Sequence, residues 1–132
     1  MTTKRRDPAD YDWSRPLFDH VHLRVADLAA SRRFYATVLE PLDVPLLLDT
    51  PHLVCFANLA LSDDAEPSAR VHIAFSAPSQ DVVDGFHATA LGAGYRDNGA
   101  PGPRPHGAYA AYVLDPDGNN VEAAHRAWER PD

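Results

Sequence analysis

Apolar and polar positions along this chain follow one order twice: an alternating stretch, a stretch at helical spacing, then shorter alternating runs. In residues 18–25, Val21, Leu23 and Val25 fall on one face of an extended segment, and His20, His22 and Arg24 fall on the other. That period of two marks a half-buried strand. Asp27 offers an N-cap, and residues 28–39 carry Leu28, Phe34, Tyr35, Val38 and Leu39 near helical spacing until Pro41 stops the run. Residues 45–48 and 53–56 read as a hairpin around Asp49-Thr50-Pro51, and residues 59–61 as a short further strand. Residues 62–68 are polar, include Pro67 and read as a linker.

The order then recurs. Residues 70–75 form a second strand of the first type, and Ser79 caps a helix over residues 80–91 that Gly92 and Gly94 close. Residues 99–107, dense in Gly and Pro, read as a loop that holds Arg104 and His106 on a stiff backbone. Residues 109–114 and 120–124 make a final hairpin around Asp115-Pro116-Asp117-Gly118, where proline presets φ and glycine accepts φ > 0. Its second strand carries Glu122. Residues 1–16 lack a period and read as an arm with Tyr11 and Trp13 as docking candidates, and residues 126–132 read as a tail.

Sliding the chain by 52 residues superposes the halves without a gap: His20 meets His72, Leu23 meets Phe75, Asp27 meets Ser79, Phe34 meets Phe86 and Leu39 meets Leu91. A rival alignment of His22 with His72 needs a two-residue gap before the helices, so His20 is the partner of His72. The predicted fold class is α+β: tandem βαβββ modules, residues 17–63 and 69–125, in a single domain over 17–128. Their curved mixed sheets form a trough with the helices on the convex side. Strand parity places His20, His72 and Glu122 on the concave face. Two imidazoles and a carboxylate are the donor set of a divalent metal with open positions.

His22 projects from the same face as a supporting residue or a substrate contact. Arg24 shares that face and either pairs with Glu122 or binds an anionic substrate. Arg104, His106, Tyr109 and Tyr112 complete the candidate substrate pocket. His52 and His87 read as surface residues, Cys55 as a small buried apolar residue, and His125 as facing away from Glu122.

Composition narrows the function classes. The 132 residues suffice for one domain with a real core. A net charge of −7 argues against nucleic acid. The single Cys55 admits no intrachain disulfide. No apolar run is long enough to span a membrane, and residues 1–6 are not followed by the apolar region of a signal peptide. A cytoplasmic protein is expected.

Three stretches carry a family resemblance: Phe18-Asp19-His20-Val21-His22-Leu23-Arg24-Val25-Ala26-Asp27-Leu28, continuing to Phe34-Tyr35; then Val71-His72-Ile73-Ala74-Phe75; then Asp115-Pro116-Asp117-Gly118-Asn119-Asn120-Val121-Glu122. Over roughly residues 17–125 the chain resembles the vicinal oxygen chelate superfamily of glyoxalase I, extradiol dioxygenases and bleomycin or fosfomycin resistance proteins. The resemblance implies a glyoxalase/dioxygenase-like fold and a divalent metal (Fe, Mn, Ni or Zn) on His20, His72 and Glu122. It also implies Glu122 as a catalytic base, a small-molecule substrate with vicinal oxygens, and a homodimer that completes the pockets. The implied activity is dioxygenase-like or glyoxalase-like lyase or isomerase chemistry. The alternative is a non-catalytic antibiotic- or small-molecule-binding protein on the same fold. Glyoxalase-type members add a fourth ligand on the strand closing the first half, and residues 58–63 offer no glutamate there. Extradiol dioxygenases keep the two-His, one-carboxylate pattern but are usually longer.

Overall fold

The computed structural model describes residues 5–126. Residues 1–4 of the arm and 127–128 of the expected domain lie outside the described residues, as does all of the expected tail except Arg126. Among the described residues are two α-helices and eight strands, in the order β1 (Val21–Arg24), α1 (Leu28–Leu39), β2 (Leu46–Asp49), β3 (Leu53–Phe56), β4 (Leu59–Ser62), β5 (His72–Ser76), α2 (Gln80–Gly92), β6 (Arg96–Pro103), β7 (Tyr109–Leu114) and β8 (Asn120–His125). The strands form two mixed four-stranded sheets, ordered β1-β4-β3-β2 and β5-β8-β7-β6. In each, the first strand runs parallel to the last and the other neighbours are antiparallel. The class is α+β. No helix among the described residues is long and apolar enough to cross a membrane.

Both helices start where a short polar side chain answers a free backbone amide. Asp27 accepts from Ala30 N at 3.1 Å, and Ser79 accepts from Val82 N at 3.2 Å. α1 buries Leu28, Phe34, Tyr35, Val38 and Leu39 along one stripe, and α2 buries Val83, Phe86, His87 and Ala90. These stripes meet the alternate strand residues Leu23, Leu61, Val113, Val121 and Ala123 in one apolar cluster. Residues of opposite parity, among them His22, His72, Tyr112 and Glu122, therefore face away from the helices.

Polar ties cross between the halves. Tyr35 of α1 donates to Asp115 Oδ2 at 2.7 Å, and Ala26 N donates to Asp117 Oδ1 at 3.1 Å. Asn119, 1% exposed, accepts from Val71 N at 3.0 Å through its side chain. Asp115 Oδ1 accepts from the backbone amides of Asp117 and Asn119, both at 2.9 Å. The Asp-Pro-Asp-Gly turn is thus a clasp whose exposed tip, with Gly118 at φ 82, is rooted by the buried Asp115 and Asn119.

Three expectations change. Residues 99–103, the start of the expected loop, belong instead to a strand over residues 96–103. β6 pairs with β7 despite its Gly and Pro, with register breaks between Asp97 and Gly99 and between Gly99 and Gly102. At Gly99 an added Cβ would lie 2.7 Å from Tyr112 Cδ2, so only glycine lets that ring lie flush on the strand. His87 is buried rather than on the surface, its Nε2 2.9 Å from Asp97 Oδ1. Cys55 is half-buried.

Candidate functional site

On the open face of the second sheet, three neighbouring strands bring three polar side chains together. Register aligns Ala74 of β5, Glu122 of β8 and Tyr112 of β7, with His72 two residues before Ala74 on the same face. The His72 Nε2 to Glu122 Oε1 distance is 2.7 Å. The Glu122 side chain is only 5% exposed while that of His72 is 55% exposed, so the imidazole screens a carboxylate that has left water. The rings of His72 and Tyr112 lie 6.1 Å apart. Burial first, then the negative charge of Glu122, pushes the Tyr112 phenol above its ordinary range.

The segment after β6 adds two more groups. The Arg104 guanidinium lies 5.0 Å from the Tyr112 ring centroid, within cation–π range. It is anchored by donation to the carbonyl of Ala110 at 3.0 Å and to that of Ala100. His106 Nε2 lies 3.4 Å from the Tyr112 hydroxyl, and Arg126 grips the other side of His106 through its carbonyl and Nδ1, at 2.8 and 2.9 Å. His72, Glu122, Tyr112, Arg104 and His106 thus form one connected group.

The other expected site residues lie elsewhere. His20 precedes β1, its side chain 65% exposed and its Nδ1 2.8 Å from Asp19 Oδ2. Among the described residues no three His, Cys, Asp or Glu side chains group so as to hold a metal ion, so His20 does not join His72 and Glu122 within one chain. His22 and Arg24 occupy the open face of the first sheet. There His22 Nε2 lies 2.7 Å from Ser62 Oγ, Ser62 donates to Asp64 at 2.6 Å, and Arg24 Nε donates to Asp64 at 3.3 Å. Arg24 therefore pairs with Asp64, not with Glu122. Tyr109 turns toward α2, where its hydroxyl donates to Asp84 at 2.6 Å, a bond that holds its phenol up. It belongs to the helix side of the sheet because Tyr109 and Tyr112 are three apart on one strand and face opposite ways. His125 Nδ1 meets the Ala77 carbonyl at 3.0 Å, and His52 meets Asp63 at 3.1 Å at the surface.

The two sheets are not chemically equivalent. In the first, Val25 N donates to the Ser62 carbonyl; in the second, Ala77 N donates to that of Ala124. This shared rung matches Ser62 with Ala124 and therefore Ala60 with Glu122, just as Ala60 pairs with His22 and Glu122 with Ala74. The position that would give the first sheet its own acid is an alanine. Asp63 and Asp64 lie beyond β4.

A family model described as glyoxalase/bleomycin resistance protein/dioxygenase superfamily matches residues 17–123. Among curated proteins, none matches the chain closely enough to count as a relative. Solved structures give strong matches. A glyoxalase/bleomycin resistance protein from Albidiferax ferrireducens T118 superposes with a TM-score of 0.74 at 29% identity, over 84% of this chain and 99% of that one. A lactoylglutathione lyase from Agrobacterium tumefaciens gives 0.65 at 25% identity, over 84% and 95%. A genomically encoded fosfomycin resistance protein from Listeria monocytogenes gives 0.63 at 20% identity, over 89% and 99%, a likeness of fold alone.

Proposed function

The chain belongs to the glyoxalase/bleomycin resistance protein/dioxygenase superfamily, and from that premise we propose that it is a divalent-metal-dependent enzyme acting on a small substrate with adjacent oxygens. Its working centre is the open face of the second sheet. The observation that carries this reading is the buried Glu122 carboxylate set against His72 Nε2 at 2.7 Å. A carboxylate out of water is costly unless a cation or several donors answer its charge.

An imidazole nitrogen and a carboxylate oxygen fit Fe, Mn, Ni or Zn as two of its ligands. Bound there, such an ion supplies Lewis-acid polarisation of a substrate oxygen. The chain's own groups do the rest. Glu122 is placed to take a proton, and the high phenol of Tyr112 stays protonated to donate a hydrogen bond. His106 meets the Tyr112 hydroxyl and Arg104 lies over its ring, and together they hold the side chain in place.

One chain supplies two ligands and leaves His20 exposed and apart. A homodimer that brings His20 of a second copy to this face supplies the third. The test is mixing. His20→Ala and His72→Ala chains each bind less than a tenth of the metal of the parent by elemental analysis. Unfolded and refolded together, they regain about half a site per pair of chains if ligands come from two copies, and nothing if they come from one. Unchanged metal content in His72→Ala refutes the ligand assignment altogether.

A second reading, a metal-free binding protein in a reducing, cytoplasmic setting, is favoured by one observation: among the described residues no three donors meet. Its acidic charge of −7 suits a cationic ligand. Absence of stoichiometric metal in the protein purified without chelator supports this reading over the first.

A further inference from the structure

α2 carries a histidine for which the working centre has no direct use. His87 is 9% exposed and lies on the helix side of the second sheet, where its Nε2 donates to Asp97 Oδ1 of β6 at 2.9 Å. The same oxygen accepts from Gly99 N, also at 2.9 Å. One carboxylate oxygen therefore joins the buried imidazole to the backbone of β6. The Asp97 side chain is 52% exposed, so without the imidazole it is free to turn into water and release the amide. That amide sits between the two register breaks of β6, Asp97 to Gly99 and Gly99 to Gly102, where the ladder alone fixes the strand poorly. Asn98 holds this stretch to Asn120 from the open face at 3.1 Å, and His87 holds it from the helix side.

The open face is built on this stretch. Gly99 stands opposite Tyr112, and an added Cβ there would meet Tyr112 Cδ2 at 2.7 Å, so the phenol ring lies directly on the bare Gly99 backbone. Ala100, the next residue, offers its carbonyl to the Arg104 guanidinium, which lies over that ring. Where the Gly99 bulge sits thus sets both the bed of the Tyr112 ring and the anchor of Arg104. We propose that His87 is a positioning residue for Tyr112: from the helix side, through Asp97 and the Gly99 amide, it fixes where the phenol stands beside Glu122 and His106. This rests on the reading of the open face as the working centre and adds a residue that acts on it through the sheet. A side chain serving the core alone would be apolar, as Val83, Phe86 and Ala90 of the same stripe are. Here an imidazole is desolvated instead, and its N–H answers one oxygen.

NMR of the full chain, with tyrosine and arginine side chains isotope-labelled, reads the tie directly. His87→Leu removes the donor: hydrogen exchange at Gly99 N–H rises roughly tenfold or more, and the Tyr112 ring and Arg104 Nε–H resonances move while those of the Tyr35 ring stay. His87→Gln presents an amide N–H at similar reach and restores the parent spectrum. Asp97→Ala, at a half-exposed side chain whose loss leaves the core intact, reproduces the shifts of His87→Leu. Asp97→Asn keeps the accepting oxygen and the parent resonances. Should His87→Leu not fold, Asp97→Ala carries the same readout. A lower melting temperature with the Gly99, Tyr112 and Arg104 signals unmoved overturns the proposal, because His87 would then hold only the fold. A His87→Gln spectrum matching that of His87→Leu overturns it as well. These readings need no metal, so a protein purified without metal refutes the chemistry of the working centre while the shifts still establish the tie from His87 to Tyr112.

Discussion

Replacing Tyr35 with Phe removes one oxygen from the centre of the molecule. Tyr35 is fully buried, and its hydroxyl donates to Asp115 Oδ2 at 2.7 Å. Burial foremost, then the charge of Asp115, drives the Tyr35 phenol far up, so it is a donor at every working pH. Asp115 is itself 2% exposed. Without the hydroxyl, its Oδ2 keeps only the long 3.3 Å contact from Asn119 Nδ2, while Oδ1 keeps its two backbone amides. The ring stays, so no cavity larger than an oxygen opens. A hydrogen bond to a buried charged group contributes about 1.5–3 kcal/mol. For a chain of this length that is a fall in melting temperature of roughly 5–10 °C. Differential scanning calorimetry at pH 7 measures it, and a double-mutant cycle with Asp115→Asn isolates the pair. A fall under about 1 °C, or strict additivity of the two changes, refutes the reasoning. The loss matters beyond stability because this bond ties α1 to the hairpin that presents Glu122.

Three further outcomes follow from the geometry. Gly99→Ala puts a methyl 2.7 Å from Tyr112 Cδ2, costs about 1–3 kcal/mol by thermal unfolding, and shifts the His106 and Tyr112 ring resonances, which a merely surface change would leave alone. The hydrogen bond from His87, foremost, holds the Asp97 carboxyl below the usual range. Its stabilising effect is complete above the ordinary carboxylate value and fades as pH falls through the depressed one, so Asp97→Asn flattens the acid limb of the melting profile below about pH 4. Asp117 has the opposite sign: burial foremost raises its carboxyl, so its ionised form costs stability at neutral pH, and Asp117→Asn gains most at pH 7 and least in acid.

The helices were legible because their caps and apolar stripes agree: Asp27 with Phe34 and Val38, Ser79 with Val83 and Phe86. β6 was not, because Gly99, Pro101, Gly102 and Pro103 carry every mark of a loop. Pairing with β7 overrides that composition. His87 sits at helical spacing from Val83 and Ala90, a signal of burial in plain view, but its answering charge, Asp97, lies on the strand that composition hid. The parity of Tyr109 and Tyr112 already forbade both from one pocket. The contact of His72 with Glu122 follows from two strands of right parity, whereas the remoteness of His20 depends on where β1 begins and on how two sheets sit together, which no local pattern encodes.

Ala60 holds in the first sheet the rung that Glu122 holds in the second. The near-twin halves are therefore not interchangeable: a buried carboxylate marks the second sheet, and a methyl group fills the matching rung of the first.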